Sequence, residues 1–529
     1  MATDGGQELA ARESVYLVSG DMSRAAMTDS LCALLRTRQH AIGRHRFTVL
    51  DTFDGRVRRA GARLRRTGVD EAAIVAWQPR DGRAALTVRL TQPAHFAWDL
   101  PAGPLQQAVA PVIGVRRLLP QADAEEHESL FDILDDRDKT VARLRIESGH
   151  VRRPAPRSPW KPLPTLVTLT GLRGYEDVYE RLKPVIESRP GITSCPDGGE
   201  TVILQHAGVA LDVPTLEIDL APDVRAEAGA RAIHRALVGI LLVNEPGLRA
   251  NLDTEFLHDF RVALRRTRSL VRQLKHVFPA EVVEHFSAEF AWLGQQTGLL
   301  RDLDVLVLTL RGQAGNVPDA DMNAVIEFLG QEQTRARRTV LEALDSARYR
   351  TLLADWQQFL SRPVALTSPA PDARRPLADV VAHRAWRLSK RLIRSGEAID
   401  EHTDPAHLHE VRILAKKLRY LVDVTSSFYV ADARDHVLSA LKKVQRVLGD
   451  FNDAQVQEIR LLDLARSLGT GGGPANAMVA LGQLAERSRQ RRDRLRTEAV
   501  DQLGEFRACA TAAACRRAFR RVIDEERVR

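Results

Sequence analysis

Residues 258–268 read His258-Asp-Phe-Arg261-Val-Ala-Leu-Arg265-Arg266-Thr-Arg268, and residues 409–419 read His409-Glu-Val-Arg412-Ile-Leu-Ala-Lys416-Lys417-Leu-Arg419. The two stretches align at an offset of 151 (409 − 258), with His and four basic positions at the same steps. Further on, Gly298-Leu-Leu-Arg-Asp302-Leu-Asp-Val305 aligns with Gly449-Asp-Phe-Asn-Asp453-Ala-Gln-Val456 at the same offset. Two separated motifs sharing one offset mark a duplicated helical unit and predict a pseudo-twofold arrangement of its copies. On a helix of 3.6 residues per turn, His258, Arg261, Arg265, Arg268 and Arg272 fall within an arc of about 80°. Phe260, Ala263, Leu264, Leu270, Val271 and Leu274 occupy the opposite side. The second copy repeats this, with His409, Arg412, Lys416 and Arg419 on the stripe and Val411, Leu414, Ala415, Leu421 and Val422 on the apolar face. Only Arg266 and Lys417 project elsewhere.

An ordinary solvated helix face mixes acids among its cations, because like charges one turn apart cost about 0.2–0.5 kcal/mol per pair. The stripe residues include no acid in either copy, so the cations need a partner. Internal carboxylates such as Asp302, Asp304 and Asp453 are one source, and an external anion is the other. Repetition of the stripe favours the anion. More cations crowd the same region: Lys442, Lys443 and Arg446, and Arg384, Arg387, Lys390, Arg391 and Arg394. The predicted binding set is therefore His258, Arg261, Arg265, Arg268, Arg272, His409, Arg412, Lys416, Arg419, Lys443 and Arg446. His258 and His409 suit donation to an anion's oxygens. Asp302 and Asp453 are expected to orient stripe arginines by ion pairing. No spacing calls for a metal, a cofactor or a catalytic residue; His402, His407 and His409 lack a metal-ligand pattern.

Working outward, the chain has 529 residues, enough for two to four units of ordinary size. Hydrophobic residues make up 44% and charged residues 28%, as in folded globular proteins. The net charge of +8, from 77 basic and 69 acidic residues, implies a polyanion partner only if it is concentrated. Cys32, Cys195, Cys509 and Cys515 form no CxxC pair, which fits a reducing cytoplasm. Met1 to Ala10 does not read as a signal peptide, and no apolar run reaches the roughly 20 residues of a membrane span.

Residues 1–218 read as α+β. Predicted strands are Ser14–Val18, Phe47–Leu50, Ile74–Trp77, Ala85–Leu90, Thr140–Ile146, Leu166–Leu169 and Thr201–Leu204. Turns are expected at Gly55, Gly82, Gly149 and Gly198–Gly199. The prolines at 154, 156, 159, 162 and 164 predict a connection. Residues 221–529 read as all-α, divided by the proline-rich stretch Ser361–Pro376 into halves 221–362 and 376–529. Gly469–Gly473 with Pro474 reads as a loop between helices and not as a phosphate-binding loop, because no Lys-Ser/Thr follows.

At the paired stripes and the Asp302 and Asp453 motifs, residues 221–529 resemble the CHAD family. That resemblance implies an all-α domain of two pseudo-symmetric four-helix bundles around a basic channel, binding inorganic polyphosphate. Carried over by motif position, its binding residues are His258, Arg261, Arg265, Arg268, His409, Arg412, Lys416 and Arg419. Residues 1–218 are similar to a degenerate CYTH (triphosphate tunnel) domain, an antiparallel barrel. The carriers are Asp51-Thr52-Phe-Asp54-Gly55, Leu64-Arg65, Leu134-Asp135-Asp136 and Val141-Ala-Arg143. The family's ExExK metal-holding strand is replaced by Ser14-Val-Tyr16-Leu-Val18, and Thr67 breaks its LRxR element. The first domain is thus expected to be structural and inactive, or a weak anion binder through Arg58, Arg65 and Arg116.

The leading expectation is non-catalytic binding of inorganic polyphosphate, or of other polyanions, extending to association with polyphosphate granules. A triphosphatase or phosphotransferase in the first domain is the enzyme alternative. Nucleic acid is disfavoured because single-strand binding uses stacking aromatics, and the stripes hold only Phe260 and Tyr420.

Overall fold

The computed structural model describes residues 12–519, apart from 21, 69–72, 81–82, 217, 312–318, 365–366, 401, 471–474 and 508. The chain divides into two compact units, Met1–Val213 and Pro214–Arg529.

The first unit holds β1 (Glu13–Val18), α1 (Arg24–Cys32), β2 (Thr37–Asp51), α2 (Arg56–Arg59), β3 (Ala62–Thr67), β4 (Ile74–Pro79) and β5 (Leu86–Arg89). Then come α3 (Pro104–Ile113), β6 (Leu119–Leu134), β7 (Thr140–Arg152), β8 (Lys161–Gly171), α4 (Glu176–Glu187), β9 (Ile192–Ser194) and α5 (Gly199–His206). The strands form one antiparallel sheet in the order β5-β4-β3-β2-β6-β7-β8-β1-β9. Among the described residues no pairing joins β5 to β9, so the barrel expected from the resemblance is seen only as an open order of strands.

β2 and β6 are far longer than the segments that announce them. β2 exposes most of its first ten residues, so apolar alternation could not mark it. Cross-strand charge pairing supports it instead: Arg46 lies 3.3 Å from Glu125, His45 2.7 Å from Glu128 and Arg38 3.4 Å from Asp132.

Three sequence expectations are corrected. Thr201–Leu204 lies in helix α5, not in a strand, because its four buried residues suit either element and the turn continues through His206. Gly149 lies inside β7 at a register shift, where an added Cβ would sit 1.9 Å from the Glu125 carbonyl oxygen. Pro162 and Pro164 belong to β8. They sit at its start, where only β7 pairs with it; β1 joins from Leu166 onward, leaving that edge free to tolerate proline. The expected turn at Gly82 and most of the loop at 469–474 lie outside the described residues.

The second unit is helical. Its first half holds α6 (Ala226–Arg249), α7 (Thr254–Gln273), α8 (Ala280–Gln296), α9 (Gly298–Arg311), α10 (Asp319–Asp345) and α11 (Ala347–Ser361). The second half holds α12 (Leu377–Glu397), α13 (Pro405–Val424), α14 (Ala431–Thr470), α15 (Ala475–Arg507) and α16 (Cys509–Ala518). Three helix starts repeat at the sequence offset of 151: α6 with α12 (377 − 226), α7 with α13 (405 − 254) and α8 with α14 (431 − 280). The copies also meet reciprocally. Ala226 N–H donates to the Arg375 carbonyl at 2.8 Å, and Leu377 N–H donates to the Val224 carbonyl at 2.8 Å. Each bond is the other shifted by one repeat, the signature of an internal twofold contact. The apolar face of each striped helix is buried as expected, from Phe260, Ala263 and Leu264 to Val411, Leu414 and Ala415. α9 is a separate helix in the first half, whereas α14 runs unbroken for 40 residues through the matching position.

Candidate functional site

Both striped helices start on the same device. Asp253 caps α7 by accepting from Glu255 N–H at 2.9 Å, and Asp404 caps α13 by accepting from Ala406 N–H at 2.7 Å. These caps fix where each stripe begins, so two 20-residue helices present their cations in the same phase. α7 and α13 lie against each other, and the Gln273 amide donates to the Lys417 carbonyl at 3.2 Å.

Arg265 of the first stripe is within electrostatic reach of Arg412 and Lys416 of the second. This side chain is exposed and makes no hydrogen bond or ion pair among the described residues, yet its charge is felt across the repeat. Lys416, half-buried in the second copy, is pushed down to about 8 by burial and by Arg412 and Arg265. Arg412 is held below its ordinary value by burial and by Arg265, against the pull of Asp453. In the first copy, burial with Arg265 beside it brings Arg261 down to about 10. Arg268 is lowered by burial and by Arg272. Burial first and like charge second disfavour the charged forms here, and an anion placed among the same groups would offset both. The Nε atoms of Arg261, Arg268, Arg412 and Arg419 are buried with no hydrogen-bond partner.

The histidines have matched supports that the sequence reading missed. Arg301 donates from Nη2 to His258 Nδ1 at 2.8 Å, and its neighbour one repeat away, Asn452, meets His409 Nδ1 through Oδ1 at 2.9 Å. Arg301 has only protons to give, so His258 Nδ1 is an acceptor and its Nε2 carries the hydrogen. At His409 the amide oxygen takes the Nδ1 proton. Both supports lie 43 residues after their histidine, a shared spacing that could have flagged them.

The predicted orienting carboxylates divide. Asp453 lies 3.7 Å from Arg412. Asp302 instead pairs with Arg460 of α14, because the Arg261 guanidinium is already taken: it donates to the Gly294 carbonyl at 2.9 Å and to Thr297 Oγ1 at 2.6 Å. Those acceptors exist only where α8 ends, the break that α14 lacks. Gly294 also makes room, since a Cβ there would come within 2.8 Å of Arg268 Nη1. Asp304 turns inward, accepts from Gln333 Nε2 at 2.8 Å, and is pushed up to about 6 by burial.

Three more expectations change. The second stripe is not free of acid: Asp423 stands one repeat from Arg272 and lies 3.6 Å from Arg266 and 3.8 Å from Arg419. Arg266 and Lys417 do not simply project away. Arg266 reaches Asp423 across the repeat, and Lys417 is lowered by burial and by Arg384, Arg391 and Arg272. Lys443 and Arg446 are drawn off the stripe toward α15, 3.8 Å from Glu505 and 3.4 Å from Glu498. Gln445, between them in sequence, faces α13 instead, its amide donating to the Ala415 carbonyl at 2.6 Å.

In the sheet unit the cations are committed internally. Arg65 lies 2.6 Å from Glu200 and 3.5 Å from Glu126, whose carboxyl is pushed up to about 7 by burial. Arg58 donates to the Leu211 carbonyl at 2.8 Å, and the fully buried Arg116 lies 3.8 Å from Asp54. Among the described residues no group of three or more His, Cys, Asp or Glu side chains could hold a metal ion, and no helix is long and apolar enough to cross a membrane.

Residues 232–462 match the CHAD domain family. Two uncharacterized proteins of Mycobacterium tuberculosis, from strains CDC 1551 and H37Rv, are each 29% identical over 276 residues, or 49% of this chain and 52% of theirs. The chain thus spans about half the length of the curated relatives it matches. Two solved structures are also similar. The crystal structure of the CHAD domain from the plant Ricinus communis is 24% identical, with a TM-score of 0.46, covering 54% of this chain and 94% of that one. PptA from Streptomyces chartreusis is 18% identical, with a TM-score of 0.42, covering 53% of this chain and all of that one. The matched segment contains both stripes, their capping aspartates and both histidine supports: residues 232–462 of this chain are a CHAD domain.

Proposed function

We propose that the helical unit binds inorganic polyphosphate, without catalysis, in the site where the two stripes converge. The observation that carries this is Arg265 of one repeat, without an ion pair among the described residues, set beside Arg412 and Lys416 of the other, where the one carboxylate at Asp453 does not offset the burial and repulsion of three cations. A folded protein keeps such a cluster at a cost in stability, and a flexible chain of phosphates is the ligand that neutralises all of it at once. Arg and Lys supply charge-assisted hydrogen bonds to phosphate oxygens, and the His258 Nε2–H adds a neutral donor. Tyr420 is buried under the Arg266 and Arg419 guanidiniums, so it offers no face for base stacking, which favours phosphate chains over nucleic acid. The sheet unit is read as a structural partner, and granule association follows if the protein meets polyphosphate in bulk. Reversing Arg261, Arg265 and Arg412 to Glu abolishes retention of polyphosphate in a filter-binding assay at moderate salt. Retention by that triple variant, or a preference for DNA over polyphosphate at matched charge, sinks the assignment.

A further inference from the structure

The two copies share a backbone plan but not a charge plan. One repeat apart, Arg384, Arg387 and Arg391 of α12 correspond to Ile233, Ala236 and Ile240 of α6. Arg272 corresponds to Asp423, and Lys417 to Arg266. The matched contact is therefore opposite in sign on the two sides. Arg266 meets Asp423 at 3.6 Å, whereas Lys417 faces Arg272, with Arg384 and Arg391 beside it. Arg384 is itself held down by burial, Arg387 and Arg391, and its Nε is buried with no hydrogen-bond partner. Among the described residues, Arg272, Arg384, Arg387, Arg391 and Lys417 make no ion pair. The α6 face shows that the fold does not need cations at these positions.

We infer that a second anion subsite, formed by Arg272, Lys417, Arg384 and Arg391, continues the converged stripes out over α12, so that a long linear polyanion leaves the site in one direction only. The opposite exit is closed by the Asp423 carboxylate. Burial, and after it like charge, holds down Arg268, Lys417 and Arg384 in turn, and Gln273, next to Arg272, donates to the Lys417 carbonyl at 3.2 Å, which ties the end of the first stripe to this cluster. From His258 to Arg272 the stripe is about 21 Å long at 1.5 Å per residue, so a short oligophosphate fits within it and only a longer chain reaches α12. This rests on the polyphosphate reading of the converged stripes.

The test compares tripolyphosphate with long-chain polyphosphate on the full chain, wild type against Arg384→Gln/Arg391→Gln. Tripolyphosphate affinity stays within about twofold. Long-chain affinity falls about tenfold at low salt, and its log K against log salt slope becomes shallower by roughly 1.4–1.8, as expected for two lost phosphate contacts. Exposed Arg391→Gln alone, expected to show about half of that loss, repeats the test without touching half-buried Arg384. An unchanged long-chain affinity in both variants, or an equal loss for both probes, overturns the subsite while leaving the central site standing. If the wild-type chain binds neither probe, the central reading fails and the subsite with it.

Discussion

Lys416 should take up a proton when polyphosphate binds. In the free protein burial, Arg412 and Arg265 hold its ammonium at about 8 instead of 10.5. At about 1.4 kcal/mol per tenfold change in proton affinity, that corresponds to on the order of 3 kcal/mol stored against the charged form. The penalty is fully present below about pH 8 and is relieved as the pH rises toward 10.5, where the unfolded chain also loses the proton. Without ligand, stability contributed by this group therefore increases across that window. A bound phosphate chain restores the lysine's ordinary affinity, so at pH 9 binding takes up close to one proton, roughly 0.9 if the restoration is complete. Calorimetric titration at pH 9 in two buffers of different ionisation enthalpy measures that uptake directly. Lys416→Arg keeps the charge but cannot titrate, so it binds at pH 9 with at least half of the uptake gone; the residue comes from Lys417, which burial and its arginine neighbours also lower. Absence of uptake in the wild type, or uptake undiminished in Lys416→Arg, refutes the convergence of charge on this lysine.

Asp423→Asn removes the carboxylate between Arg266 and Arg419, lowering stability by about 1–3 kcal/mol in thermal melts while tightening polyphosphate binding; unchanged stability with weaker binding would contradict the pairing. Gly149→Ala forces its Cβ against the Glu125 carbonyl and costs roughly 2–4 kcal/mol of hydrogen-exchange protection in β6 and β7. Polyphosphate affinity should not move. Arg301→Gln frees His258 Nδ1, so nitrogen NMR of the ring shows loss of a single tautomer, and affinity falls about two- to tenfold; a ring still locked with its proton on Nε2 would show that Arg301 does not set it.

The helical unit was legible because its signals are local and repeated. The 151-residue offset located the helix pairs, and a period of 3.6 separated the buried face of α7 from its cations. What stayed hidden depended on neighbours distant in sequence. Asp423 sits on the stripe's own arc, but its role emerges only from Arg266 of the other repeat. Gly298 and Gly449 are the same residue, yet only the first begins a new helix, and only there are a Thr297 hydroxyl and a Gly294 carbonyl left to accept from Arg261. Lys443 and Arg446 look like neighbours of the stripe until the carboxylates of α15 are in place. In the sheet unit, the Arg- and His-rich half of β2 and the Glu- and Asp-rich β6 lack strand composition. Their complementary charges, readable only as a pair, are the signal that would have found them.

The most direct test of the central claim is a crystal structure of the full chain with bound tripolyphosphate. Convergence predicts phosphate oxygens at roughly 2.7–2.9 Å from Arg265 and, at the same time, from Arg412 or Lys416, one ligand bridging the two repeats. Phosphates confined to a single repeat, or seated at Lys443 and Arg446 with the space around Arg265 empty, would contradict it.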